Sequence, residues 1–459
     1  MEQDDSRELL KLAAEVVERA KRAGADVAEA SARGGSELST RVRLGKPELV
    51  EEAGHHSISL RVIRGDRVAL TSTSDLSPKG IERCVADALM LAELSEPDPF
   101  AAPADPSLLA KPPFPDLDLF DAGLFQIDAG RAIEQATIAE QAALDFDKRI
   151  TNSEGATFSR TNSTSAMVLS SGFEAALRGS YAAITVAPVV EDEGGKKRRG
   201  HYWSASRHQS ELEAPLFVGQ EAARRTLAKL GPRKVPTQEA AVIFDADVSR
   251  SLIGAFIGCI LGGSVWRKSS YLMDREGTEV ASSGVTLIDD PLIPRAPGSR
   301  PFDGEGLPAR KNVVVENGVL KTFLLDSYSA RKLGRASTGS AARSGGSVSA
   351  STTNLIMSPG NMTREELIAS TPRGLYVTEM MGFGFNAMTS DFSRGAAGFW
   401  IEDGKLTFPV SEITISSTLD AMLKGIDGIA SDLRLITSMA SPTFRTAKMV
   451  ISGSNPNEG

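Results

Sequence analysis

The sequence predicts an α+β protein of two domains. The first, residues 1–231, is expected to pack helices on an antiparallel sheet. The second, residues 232–459, is expected to be β-rich and built around a central glycine-rich helix. Three observations carry this reading. At 459 residues the chain is too long for one ordinary hydrophobic core. Short alternating runs bounded by turn residues recur in both halves, between stretches of helical period. Finally, residues 247–267, DVSRSLIGAFIGCILGGSVWR, are apolar or small almost throughout.

Leu9, Leu10, Ala13, Val16, Val17 and Ala20 repeat with a period near 3.6, so residues 6–23 form an amphipathic helix that Gly24 closes. Strands are expected at 26–32, 37–44, 48–53, 57–63 and 67–73, with Gly65-Asp66 turning the last pair. Ser77-Pro78 supplies an N-cap and a first-turn proline for a helix through residue 92. Seven prolines within residues 96–115 exclude regular structure there. An extended connector on the surface is expected, anchored by Phe100, Leu108, Leu109 and Phe114. A helix at 128–144 follows, then strands at 149–152, 157–161, 165–170 and 172–190, and a return through 201–205. A helix at 211–230 is stopped by Gly231-Pro232, the expected domain boundary.

The second half opens with a strand at 239–244 and the glycine helix. Ser251, Gly254, Ala255, Gly258 and Gly262 recur on one helical face, which lets another backbone approach closely. Each interior glycine costs about 1 kcal/mol relative to alanine. The three glycines forfeit roughly 3 kcal/mol, which close packing or a site should offset. The apolar core of this helix, residues 252–266, is too short to span a bilayer. Asn317-Gly318 and Asp403-Gly404 each sit between two apolar runs, which predicts two-residue type I′ hairpins. Residues 337–353 are small and polar and are expected to form a mobile loop. Helices at 363–370 and 419–426 complete the domain.

The composition is that of a soluble globular protein with a net charge of −8. That balance argues against nucleic acid as a partner, because phosphate binding needs a basic face. The one basic run, Lys196 to Arg199, follows Glu191-Asp192-Glu193 and reads as a solvated hairpin tip. The charged N-terminus has no signal-peptide core. With only Cys84 and Cys259, a disulfide framework is excluded, and a reducing cytoplasm is expected.

The four histidines, His55, His56, His201 and His208, all lie in the first half. A catalytic zinc needs about three protein ligands, and the chain has neither HExxH nor CxxC. His55 and His56 are adjacent, so on a strand they point to opposite faces. No Walker loop, dinucleotide-binding glycine fingerprint or G-x-S-x-G elbow is present. These residues alone declare no active site.

Longer stretches of the second half carry a resemblance. They are GGSVWRKSSYLMD (262–274), PFDGEGLPARKNVVVENGVLKTFLLDSYSARKLG (301–334), GLYVTEMMGFGFNAMTSDFSRGAAGFWIEDGKLTFPVSEITI (374–415) and SPTFRTAKMVISG (441–453). With the weaker, collinear GADVAEA (24–30) and GHYWSASRH (200–208), they resemble the TldD/PmbA family, and within it the PmbA (TldE) branch. The resemblance implies a two-domain α+β protein that pairs with a related subunit. The TldD subunit is a zinc metallopeptidase acting on unfolded peptides. Its metal helix carries HExxxH, and a cysteine near the C-terminus completes the ligands. Laid on this chain, the first His falls on Gly254, the Glu on Ala255 and the second His on Cys259. The C-terminal cysteine has no counterpart. The resemblance therefore implies no catalytic residue and no metal ligand here, with zinc in the partner subunit and Cys259 a buried small hydrophobe.

The function expected is a non-catalytic subunit that pairs with a TldD-like metallopeptidase and helps to admit unfolded peptide. Exposed hairpins, or a nearby sheet edge, would grip an extended peptide by strand addition. The candidate peptide or partner contacts are Asp391, Ser393 and Arg394, together with Asp303 and Glu305 in the Asp-Gly-Glu-Gly turn. The alternatives are that Asp303 and Glu305 satisfy turn amides and that Arg394 is a buried structural fork. Two other functions compete: an autonomous peptidase or other hydrolase, and a homodimeric peptide-binding module. Self-association in isolation is expected in any case, because a surface shaped for a related subunit pairs readily with its twin. Neither nucleic acid nor membrane is an expected partner.

Overall fold

The computed structural model describes residues 5–453; the first residues of the charged N-terminal stretch lie outside them. The chain opens with α1 (Ser6–Arg22), whose Leu9, Ala13, Val16, Val17 and Ala20 are buried as the periodicity requires. Strands β1 (Val27–Arg43), β2 (Lys46–Arg64) and β3 (Arg67–Thr73) follow, then α2 (Pro78–Leu94). The Ser77 side chain caps α2 by accepting from the Gly80 amide. Next come α3 (Ala129–Leu144), β4 (Ile150–Leu169), β5 (Phe173–Glu191), β6 (Lys197–Arg199), β7 (Tyr202–Ser206) and α4 (Pro215–Leu227).

These strands form one antiparallel sheet in the order β3-β2-β1-β4-β5-β6, with β7 also on β5. The expected short strands differ from what is found. Residues 26–32 and 37–44 run as the single strand β1, residues 48–53 and 57–63 as β2, and 149–170 as β4. The pair Gly34-Gly35 lies inside β1 and lets neighbours close in. A Cβ at Gly35 would sit 2.3 Å from the Asn162 carbonyl, and the Ser36 amide donates to Asn162 Oδ1 at 2.6 Å. The helix expected at 211–230 begins at Pro215, a residue suited to a first turn and not to an interior. The basic run is a hairpin flank on β5, with Arg198 paired to Asp192 at 2.7 Å.

Both helix pairs lie on one face of this sheet. Ala28, Ala30, Ala32, Ile58, Leu60 and Val62 pack under α1 and α2. Farther along the same long strands, Leu38, Val42, Ala156, Phe158 and Ile184 pack under α3 and α4. The opposite face receives the connector and the second half of the chain. Phe114 packs with Phe173 and Phe302, and Arg331 donates to the carbonyls of Phe100, Ala102 and Pro103. The proline-rich connector is thus extended and anchored, as expected, although Leu108 is exposed and Leu109 buried.

The second half runs β8 (Gln238–Phe244), α5 (Ala246–Ile260), α6 (Gly262–Trp266), β9 (Leu287–Asp289), β10 (Asn312–Glu316), β11 (Val319–Leu320) and α7 (Ser327–Lys332). Then come β12 (Ala341–Ser344), β13 (Ser347–Ala350), β14 (Leu355–Met357), α8 (Arg364–Ala369), β15 (Arg373–Met381), β16 (Asp391–Glu402) and β17 (Lys405–Thr418). The described chain ends with α9 (Leu419–Lys424), β18 (Ile426–Ile429), β19 (Met439–Ala440) and β20 (Phe444–Ser452). Strands β17, β16, β15, β8 and β20 pair in that order, and β20 pairs back onto β17, closing a five-stranded ring. A separate sheet, β11-β10-β9-β14-β19, lies beside it. The largest core joins α5 to Phe244, Leu375, Trp400, Ile415 and Phe444.

Both expected hairpin turns have positive φ at their two central residues: 49° and 81° at Asn317-Gly318, and 49° and 72° at Asp403-Gly404. Their tips are docked, however, and do not project as grips. The Gly318 carbonyl accepts from the Val280 and Ala281 amides, and the Asp403 and Gly404 amides donate to Pro372 and Thr371. Residues 337–353 form the hairpin β12–β13, not a free loop, because Arg343 is pinned to the first half. Its Nη2 meets Glu29 at 2.7 Å, both side chains are at most 5% exposed, and Arg61 meets the same carboxylate at 3.0 Å. No helix among the described residues is long and apolar enough to cross a membrane.

Candidate functional site

The glycine-rich segment is two helices. Asp245 caps α5 by accepting from the Asp247 amide, and the helix ends at Leu261, whose backbone is extended (φ −68°, ψ 139°). That break is fixed by pairing, since the Leu324 amide donates to Ile260 O and the Gly262 amide donates to Leu324 O. Leu252, Ile253, Phe256, Ile257 and Ile260 face the core. The small-residue face behaves differently from the expectation of uniform close packing. Only Gly262 is tight: a Cβ there would sit 2.1 Å from Ser329 Oγ. At Gly254 the nearest atom would be Met439 Sδ at 3.2 Å, and at Gly258 nothing lies within 4 Å. Ser251 and Gly258 are exposed, and Gly254 and Ala255 half-buried. The face is an open groove.

Cys259 lies one helical turn beyond Ala255. It is fully buried, and its Sγ donates to Ala255 O at 3.4 Å. Burial pushes its thiol up to about 11, against a smaller downward pull from Ser270. At neutral pH it is a thiol, and the thiol form is not the nucleophile. Beside it, the Tyr271 amide donates to Ala387 O, while the Tyr271 hydroxyl is buried without a hydrogen-bond partner among the described residues. Asp420, which Tyr271 feels electrostatically, is already held by Arg275 at 3.1 Å and Lys424 at 2.9 Å.

Residues 382–390 run from β15 to β16 along this end of the barrel. Phe385 and Ala387 pack on the core that contains α5. Met381, Phe383 and Met388 are exposed, and Phe383 completely so at 106%. Asp391 and Ser393 are exposed at the start of β16, and the Asp391 carboxylate accepts from the Thr389 hydroxyl at 2.5 Å. Arg394 is half-buried, its Nε has no hydrogen-bond partner among the described residues, and desolvation lowers its pKa. The free edge expected here for strand addition is occupied: the Ser393 amide donates to Gly384 O and the Asn386 amide to Asp391 O.

Asp303 and Glu305 lie elsewhere, where the two halves meet. Asp303 is 2% exposed, and its carboxylate accepts from the amides of Glu305, Leu307 and Ala341. The turn-satisfying alternative describes it. Glu305 is 8% exposed and accepts from the Ser327 amide at 2.8 Å. Burial first, and then the neighbouring Asp303 and Asp326, push its carboxyl up to about 7.

The structure thus places Cys259 beside the 382–390 loop, to which Asp391 and Ser393 are hydrogen-bonded, and Asp303 and Glu305 apart from them. Sequence reading missed Tyr271, Met439 and the exposed trio of the 382–390 loop. The signal for the trio was present, since large apolar residues interleaved with glycines between two strands seldom find a core. A catalytic zinc does not fit this groove. Around Cys259 the donors are a neutral thiol and two hydroxyls, and no grouping of three His, Cys, Asp or Glu side chains able to hold a metal occurs among the described residues.

Three domain profiles match: PmbA/TldA metallopeptidase domain 1 at residues 28–92, the central domain at 123–230 and the C-terminal domain at 237–453. The chain is 37% identical to Metalloprotease PmbA of Escherichia coli O157:H7 over 430 residues, 94% of this chain and 92% of the relative. It is 37% identical to the PmbA homolog of Haemophilus influenzae over 452 residues, 97% and 96% of the two chains. Among solved structures, a Bacteroides thetaiotaomicron protein described as a proposed modulator of DNA gyrase superimposes with a TM-score of 0.92 at 28% identity, covering 99% of this chain and 100% of that one. TldE from Thermococcus kodakarensis shares the fold, with a TM-score of 0.84 at 20% identity over 96% and 100% of the chains.

Proposed function

We propose, given that this chain belongs to the PmbA/TldD metallopeptidase family, that it is the subunit without zinc chemistry in a cytoplasmic two-chain peptidase. Its partner is a TldD-like metallopeptidase, and the complex processes unfolded peptides. The observation that carries this reading is the state of α5. The positions where the resemblance places the metal ligands and general base hold Gly254, Ala255 and Cys259, and the same helix leaves its glycine face open. Water activation needs a metal or a base poised beside the scissile bond, and this groove offers neither. The exposed Met381, Phe383 and Met388 beside it suit burial against another chain. Relatives named TldD homologs, such as that of Haemophilus influenzae at 28% identity over 308 residues, supply the kind of partner required.

The test is co-purification of this chain with a TldD-like chain, followed by cleavage of an unfolded peptide. Activity that needs both chains and follows zinc bound to the partner supports the proposal. A second reading has its own support, because relatives at 37% identity carry the name metalloprotease. Zinc per chain, measured on the protein purified alone without chelators, separates the two. About one tightly held zinc, with cleavage by this chain alone, makes it an autonomous peptidase.

A further inference from the structure

A cleft of about 700 Å³ opens between the C-terminal end of α4 and the outer face of the barrel. It reaches the N-terminal end of α5, where Asp247 lies eleven residues before Gly258, roughly 16 Å along the helix from the open groove. One wall is apolar: Ile368, Phe399, Leu406 and Phe408. Phe399 and Phe408 are only half-buried, and Leu406 is exposed. The inner end is polar. There the Tyr376 hydroxyl donates to Asp245 Oδ2, and Arg364 faces that pair.

The charges of the cleft are not evenly satisfied. Its carboxylates are spoken for: Asp247 takes Arg225 at 2.9 Å, Glu379 takes Lys229, and Asp245 takes Tyr376 and the Asp247 amide. Arg224, Arg225 and Lys229 are paired as well, and two cations are less engaged. The Lys405 ammonium makes no hydrogen bond or ion pair among the described residues. Among the described residues Arg364 hydrogen-bonds only to the adjacent Glu365, placing two donors on the single oxygen Oε1 at 3.0 and 2.6 Å. That pair is 41% and 69% exposed, and exposed pairs contribute little. A guanidinium with a free edge is preorganised for a bidentate carboxylate. A half-buried aromatic wall beside it suits an apolar body.

We propose that this cleft is a ligand site for a carboxylate carried on an aromatic or branched apolar body. Arg364 grips the carboxylate, Lys405 stands at the mouth, and Phe399, Leu406 and Phe408 receive the body. The site serves either the C-terminal residue of a peptide or a free small acid. It stands independently of the subunit assignment, because it is complete within this chain.

The experiment is titration calorimetry on the full chain alone with N-acetylphenylalanine, its amide and 3-phenylpropionate. A charge-assisted bidentate contact favours the acid over the amide by about tenfold or more, and added salt weakens the acid selectively. Arg364→Ala removes the preference, Lys405→Ala reduces it, and Leu406→Ser weakens acid and amide alike. Binding of N-acetylphenylalanine without 3-phenylpropionate assigns a peptide terminus, and binding of both assigns a free acid. Equal binding of acid and amide, no saturation up to ligand on the order of 10 mM, or an intact acid preference in folded Arg364→Ala overturns the site.

Discussion

Replacing Glu305 by Gln isolates one unfavourably placed charge. Its carboxyl titrates at about 7 in the folded chain against 4.5 for an unperturbed glutamate. The folded state therefore holds its proton more tightly than the unfolded state between those values, and stability falls as pH rises through that window. At 1.36 kcal/mol per unit the gap is worth about 3 kcal/mol, fully present below pH 4.5 and gone above pH 7. Gln keeps an oxygen for the Ser327 amide but carries no charge, so Glu305→Gln removes that slope. Urea unfolding followed by fluorescence of Trp203, Trp266 and Trp400 should show the two proteins equally stable near pH 5. By pH 8 the variant should lead by about 3 kcal/mol. Parallel pH profiles, or a variant that loses stability at pH 8, would refute the account of Glu305 as a carboxyl desolvated beside Asp303 and Asp326.

Glu29 should give the opposite slope. Burial raises its carboxyl, but Arg61 and Arg343 outweigh that and hold it below 4.5. Its contribution is present above that value and lost in acid. Glu29→Gln should cost about 3 kcal/mol at pH 7, measured by urea unfolding, with the gap closing as the medium is acidified. In the α5 groove, Gly258→Ala should stabilise by about 0.5–1 kcal/mol because the methyl meets only solvent. Gly262→Ala should instead cost about 1–3 kcal/mol, because its Cβ would overlap Ser329; thermal unfolding of the pair checks both signs. Cys259 should resist iodoacetamide at pH 8 in the native protein and alkylate only on unfolding, as peptide mapping would reveal.

What the sequence disclosed was local chemistry. Asn317-Gly318 and Asp403-Gly404 are legible because two consecutive residues of positive φ demand those types wherever the chain then goes. The capping of α2 by Ser77 and the burial pattern of α1 are legible for the same reason. The length of β1 was not, because Gly34-Gly35 lies between its two expected pieces and the Asn162 that presses against it is on another strand. The mobility expected of residues 337–353 failed likewise: the partner of Arg343 is Glu29, more than three hundred residues away. At the site, the poverty of α5 in metal donors was visible at once. The openness of Gly258 was not, since small residues at helical spacing fit close packing and open space equally well. Asp303 and Glu305 share one turn and are both buried, but Asp303 accepts from three amides and Glu305 from one, a difference set by residues distant in sequence.

The closed ring of strands has a consequence for the making of the protein. Its seam is β20, which pairs with β8 some two hundred residues earlier and with β17. The pairing of β8 with β15 is parallel and likewise distant. While the chain is being synthesised, β8 has no neighbour until β15 emerges, and its other edge stays bare until β20 does. Pairings across such separations bear a heavy loop-closure cost and form slowly. The nascent second half must therefore wait with unpaired edges and an exposed α5, the condition in which chains aggregate or recruit chaperones. Removing residues 444–452 should leave a chain that never completes this half, however well the first sheet folds.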